Sequence, residues 1–308
     1  MNRPAVTAID QIVAEVIAPA LNARGFKRRG RRWTHATTAV HRGLDVQRSQ
    51  LNRSNSASFT LNVRFAFLEL GHEPFVATTP AAADVDGYGN RIGPYITDGG
   101  DHWWECRTSG GGPTVDAFVR GFARDWDELV LPLFDSADDP RRFCTHLILH
   151  GPLRGVFIAF RHAEQLGDPD IIAAAYDRAL ELARRLEPSP QKPEDRVKTA
   201  GWIRSAPPRL HHLYAVWANI TAMAQRTGRQ LDGADHERAV DALRWSAEVY
   251  LPSMDASPSE GDGARDFAER LGIDPATLDL TPEALRQKRA EQYEILRSHQ
   301  RTRPRRTG

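Results

Sequence analysis

The stretch from Ser58 to Leu68 constrains the fold most. Phe59, Leu61, Val63, Phe65 and Phe67 fall in one phase, and Ser58, Thr60, Asn62 and Arg64 fall in the other. Side chains of an extended chain alternate between faces, so this is a strand with one buried and one wet side. Such a strand needs neighbours beside it and apolar cover on one face. Val40 to Arg48 alternates in the same way, with Leu44 and Val46 against Asp45 and Gln47. Turn-forming residues from Asn52 to Ser56 separate the two runs, which predicts an antiparallel hairpin. A strand beginning at Trp33 precedes them, and His102 to Arg107 reads as a fourth.

Two helices supply the cover. Val6, Ile9, Ile12, Val13, Val16, Ile17, Ala20 and Leu21 recur at spacings of three and four, the stripe of an amphipathic helix. Thr7 and Asp10 are spaced as a capping pair, Gly25 suits the left-handed position past the end, and Pro19 should kink the helix or restart its last turn. The second helix is capped by Thr114, carries Val115, Phe118, Val119, Phe122, Trp126, Leu129, Val130 and Leu133 on one stripe, and closes at Pro132. The prediction is an α+β domain over 1–135, an antiparallel sheet of three to four strands with two helices on one face and the other face wetter. Helices alone follow over 136–253, paired as 153–166 with 170–186 and as Leu210–Ala224 with Ala239–Tyr250. Residues 254–308 read as a flexible link, a charged helix and an Arg-rich tail.

Composition sets the class. With 41% hydrophobic and 26% charged residues, the chain should bury a real core. Two cysteines, Cys106 and Cys144, cannot make a disulfide framework, no apolar run approaches the roughly 18 residues of a membrane span, and Asp10, Gln11 and Glu15 interrupt any secretory core. A cytoplasmic protein without membrane contact is expected. Net charge is +1, but the sign is segregated. Removing Arg24, Lys27, Arg28, Arg29, Arg31 and Arg32, and Arg297, Arg301, Arg303, Arg305 and Arg306, leaves 30 bases against 40 acids.

The opening helix, Gly25-Phe26-Lys27 with Gly30 and Trp33, Val46-Gln47-Arg48-Ser49, Phe59-Thr60-Leu61-Asn62, and Arg91-Ile92-Gly93 ahead of Asp101-x-Trp103-Trp104 together resemble the bacterial family catalogued as domain of unknown function 4304. The likeness runs over roughly residues 5 to 135 and includes Leu131-Pro132-Leu133-Phe134-Asp135. It implies a bacterial cytoplasmic protein with an α+β domain and no established activity. A compact module of this kind suits a binding or immunity-like partner.

No residue pattern points to catalysis, and no cofactor or metal is expected. Trp103 and Trp104 are adjacent on a strand and must face opposite sides, one into the core and one outward with Arg91 and Asp101 nearby. An outward aromatic beside charges is the kind of spot that anchors a protein partner, so the binding residues are Arg91, Asp101, Trp103 and Trp104. The alternative is an anion or nucleic-acid surface made by Lys27, Arg28, Arg29, Arg31 and Arg32 with the C-terminal arginines. A second alternative, a small hydrolase or transferase, has only Asp84, Asp86, Asp98, Asp101, His102 and Glu105 behind it. Asp84-Val85-Asp86-Gly87 opens like a calcium loop, but Tyr95 stands where the bidentate glutamate is required, so a turn is expected. Ser109 to Gly112 lacks the Lys-Ser/Thr of a phosphate loop and reads as a turn. His146 and His150 share a helix face without a third ligand. Cys106, on a strand, should be buried and inert.

Overall fold

The computed structural model describes residues 5–53, 55–71, 90–97, 102–107, 114–186, 209–247, 258–281, 283–288, 290, 291 and 294. Asp101, the Asp84–Asp86 loop, Ser109 to Gly112, most of the long 71–100 segment and the Arg-rich C-terminal stretch lie outside them. The chain divides into two compact units, Met1–Arg178 and Ala179–Gly308.

In the first unit, α1 (Ala5–Ile12) and α2 (Ala18–Ala23) lead into β1 (Lys27–Arg29), β2 (Arg32–Ala36), β3 (Val40–Arg48) and β4 (Ser56–Phe67). β5 (Asn90–Arg91), α3 (Gly93–Ile96) and β6 (Trp104–Arg107) follow. α4 (Val115–Asp125), α5 (Leu131–Ser136), α6 (Pro140–His150), α7 (Leu153–Leu166) and α8 (Pro169–Arg184) complete it, the unit boundary falling inside α8. All the strand pairs are antiparallel. Strands β1 to β5 lie in chain order, and β6 shares with β5 the far edge of β4, so among the described residues six strands fill five positions. The expected strands are β2, β3, β4 and, at the edge, β6; β1 and β5 add to them on opposite edges.

The alternation in β4 is realised. Phe59, Leu61, Val63, Phe65 and Phe67 are all buried. Helix-borne rings meet them there: Phe118 and Phe122 against Phe59, and Phe134 and Phe143 against Phe65. α6 packs on α7, and Phe143 of α6 also meets Phe67, so these helices share the core of the sheet.

Gly25, at φ +77°, ends α2 with both bonds of a Schellman turn, Gly25 N–H to the Asn22 carbonyl and Phe26 N–H to the Leu21 carbonyl. Thr7 is not the cap of α1, because the helix is already under way at Ala5; the Asp10 carboxylate instead receives Arg48 and Arg31. Neither proline breaks its helix. Val13–Ile17 and Trp126–Val130 are π-helical, and each is followed after one residue by a proline, Pro19 or Pro132. The intervening Ala18 and Leu131 donate five residues back, to Val13 and Trp126. This widened turn relieves the clash of a proline ring with the carbonyl four residues before it, and lets the second helix run on past Pro132 to Ser136.

In the second unit α9 (Arg209–Arg226) packs on α10 (Gly233–Trp245), and both contact α11 (Pro258–Arg270). Trp217, Ile220, Leu243 and Phe267 are buried among them.

Candidate functional site

Alternation that sends the aromatic phase inward sends the polar phase to the outer face, and strand register lines those residues up in rows. Arg29 stands opposite Arg32, Arg32 opposite Asp45, Asp45 opposite Asn62 and Asn62 opposite Arg91, one row across the whole sheet. The next row is Lys27, Thr34, Gly43 and Arg64. On the other side of the first row Gln47 faces Thr60, and continuing the Phe59–Trp104 register sets Trp103 across from Thr60. Lys27, Arg29, Gln47 and Glu105 are exposed, Arg32, Asp45, Asn62, Arg64, Arg91 and Trp103 are half-buried, and Gly43 and Thr60 are buried.

Two regions far apart in sequence therefore share one surface. The Arg91 guanidinium lies over the Trp103 ring, 5.0 Å from its centroid, a cation–π arrangement. Asn62 donates from Nδ2 to Gln47 Oε1 at 3.0 Å, and the Thr60 hydroxyl beside them is buried with no hydrogen-bond partner among the described residues. Arg32 Nη2 is 3.3 Å from Asp45 Oδ2.

The tryptophan pair resolves as alternation requires. Trp104 is the core member: it is buried, stacks on Phe59 at 5.5 Å and donates from Nε1 to Asp125 Oδ2 at 3.1 Å. Trp103 takes the outer face. Of the acid-rich set proposed for hydrolysis, His102 and Glu105 are described, and they separate: His102 sits edge-on to Trp104 at 4.4 Å, whereas Glu105 lies opposite Ser58 on the outer face.

The basic run is not one surface. Arg24 forms a bidentate pair with Asp135, at 2.7 and 2.9 Å. Arg28 lies over Trp33 and donates to the Gly30 carbonyl, and Arg31 reaches Asp10 of α1. The reason is the tight β1–β2 hairpin, which sends odd and even residues to opposite faces and leaves Lys27, Arg29 and Arg32 on the outer one.

A second cluster lies on the core face. Arg42 is buried, donates to the Phe134 carbonyl (2.9 Å), meets His35 Nδ1 (3.0 Å), pairs with Asp138 (2.5 Å) and lies over the Phe26 ring. It caps the end of α5 from inside the sheet. The signal was present in the sequence: Arg42 occupies the apolar phase of β3 with Val40, Leu44 and Val46. Burial, and then the Arg42 charge, lower the His35 pKa, with Asp138 acting in the opposite sense. The folded state therefore favours neutral His35, so stability is full above the ordinary histidine pKa of about 6.5 and falls as pH drops below it. The denaturation midpoint should decline from about pH 7.5 to about pH 5.5, and His35→Gln should make that decline shallower. His146, lowered in the same direction by burial and by His150, stays in the variant, so some decline persists. An unchanged slope in His35→Gln would show that His35 is not held neutral.

Both cysteines are free and buried, and burial raises both thiol pKa values, that of Cys144 to about 12. His146 and His150 approach to 5.1 Å between ring centroids, and among the described residues no group of three His, Cys, Asp or Glu side chains is placed to hold a metal ion. No described helix is long and apolar enough to cross a membrane.

Residues 17–136 match the family model described as domain of unknown function (DUF4304). No curated protein and no solved structure matches the chain.

Proposed function

Residues 17–136 belong to that domain family, and from this premise we propose that the protein is a non-catalytic cytoplasmic binding module that engages a protein partner through the outer face of its sheet. The observation that carries the reading is Arg91 stacked on half-buried Trp103, on the face opposite the aromatic core. Tryptophan and arginine are the residues most often found to anchor protein interfaces, because each combines a large flat apolar surface with a polar edge. The buried thiols support the non-catalytic part of the reading, since a raised pKa keeps them protonated and poorly nucleophilic near neutral pH.

The test is affinity capture from the native cell with wild-type protein, Trp103→Ala and Arg91→Gln as baits, each checked by thermal melting. Loss of the captured partner with Trp103→Ala, at a melt close to wild type, is the expected result. A partner retained equally by both variants, or a collapse of the melt in Trp103→Ala, would overturn it.

A further inference from the structure

We infer that His146 and His150 of α6 form a two-imidazole chelate for a divalent transition-metal ion of the zinc class, on the core side of the sheet and independent of its outer face. The two residues are four apart in an α-helix, so their side chains stand one turn apart on one helix face. His150 is exposed and His146 half-buried, so an ion reaches the pair from solvent.

The ring spacing carries the inference. Zinc bonds an imidazole nitrogen at about 2.0–2.1 Å, which places the ion about 3.2 Å from the ring centre. Two rings on one tetrahedral ion then have their centres about 5.2 Å apart. The His146 and His150 centroids are 5.1 Å apart. Ring packing alone covers spacings of about 4.5–7 Å, and the measurements below separate it from chelation. Among the described residues neither imidazole makes a hydrogen bond, so a lone pair on each neutral ring is available to an ion.

The helix end adds to this. His150 is the final residue of α6, and Gly151 donates back to the Leu147 carbonyl. The carbonyls of the last turn that have no helical donor give this end a partial negative charge, which favours a cation. Arg142, one turn before His146, acts in the opposite sense and keeps the site weak.

A structural or catalytic zinc centre needs three or four protein ligands, and among the described residues none is placed to join this pair. Water completes the coordination. With half the ligands of a structural zinc site, and about half its binding free energy, the dissociation constant falls between about 1 and about 200 µM. Imidazole suits zinc, nickel and copper(II), whereas magnesium prefers oxygen. The unfolded chain does not hold the two rings one turn apart, so the ion stabilises the last turns of α6, whose Phe143 and Leu147 are buried.

The test is calorimetric titration of zinc chloride into the full chain, with magnesium chloride as a second probe and His150→Gln and His146→Gln as variants. Wild type should bind zinc in the stated range and melt about 4 °C higher at ten times the dissociation constant. Each variant removes one of two ligands and should weaken binding at this site by about a hundredfold, with loss of the melt shift. At its exposed position His150→Gln should leave the metal-free melt within about 1 °C of wild type. Zinc binding unchanged in either variant, no binding to wild type at about 1 mM zinc, or magnesium bound as tightly as zinc would each overturn the assignment.

Discussion

Replacing Phe59 with alanine is expected to cost about 4 kcal/mol, the largest single effect in the first unit. Phe59 is fully buried and sits at the centre of an aromatic group, with Trp104 at 5.5 Å, Phe122 at 5.3 Å and Phe118 at 6.4 Å between ring centroids. Those rings come from β6 and from α4, so the space left by the missing ring is bounded by two elements that cannot both collapse into it. Loss of transfer free energy and a residual cavity add together in that situation. Gln47→Ala, exposed on the opposite face, should shift stability by less than about 0.5 kcal/mol. Urea midpoints of the two variants, followed by tryptophan fluorescence, check the sidedness of the whole sheet. Comparable costs for both would mean that Gln47 does not stand on the solvent side of β3.

The long alternating strand and its hairpin partner were legible because Phe59, Leu61, Val63, Phe65 and Phe67 place a large apolar side chain at every second position and the turn residues between the strands are of turn type. β1 was not, since Lys27, Arg28 and Arg29 are all charged and exposed and carry no hydrophobic periodicity. That strand exists because Gly30, at φ +64°, closes a tight hairpin onto β2, and its charges suit an edge strand that should not recruit a further one. β5 is only two residues long, too short to carry a pattern. The helix reaching past Pro132 escaped for a different reason: a proline reads as a stop unless the preceding turn is widened, and widening leaves no mark in composition.

The candidate site was legible in its parts and not in its assembly. Adjacent tryptophans must face opposite ways, which already separated core from surface. Which of them faced outward depended on the pairing of Trp104 with Phe59, a contact between distant segments. The same holds for the row joining Arg29 and Arg32 to Arg91: four successive registers, β1 on β2, β2 on β3, β3 on β4 and β4 on β5, have to be known before those arginines fall in line. A linear basic run suggested one cationic surface, but the sheet divides it between faces and strengthens half of it with residues some sixty positions away.

Asp235→Ala in the second unit is expected to cost about 3 kcal/mol, the low end of what breaking a buried pair costs because its arginine partners keep partial access to water. The Asp235 side chain is 1% exposed. Arg184 donates to it from Nε and Nη2, the latter at 2.6 Å, and Arg238 donates to its other oxygen at 2.8 Å. Asp232, which caps α10 by accepting from the Asp235 backbone N–H, takes a further bond from Arg184. Removing the carboxylate leaves two guanidinium groups facing each other across the start of α10. Burial alone would raise the Asp235 pKa, but the bonds and charges of Arg184 and Arg238 outweigh it and leave the group below the ordinary carboxylate value. Its contribution is therefore present above the unfolded pKa of about 3.9 and is lost as pH falls through the lower folded value. Asp235→Asn keeps the shape without the charge, so its melt should lie below wild type at neutral pH and converge on it in acid. Curves for Asp235→Asn and wild type that stay parallel through that window would show that the carboxylate charge contributes nothing to holding α10 in place.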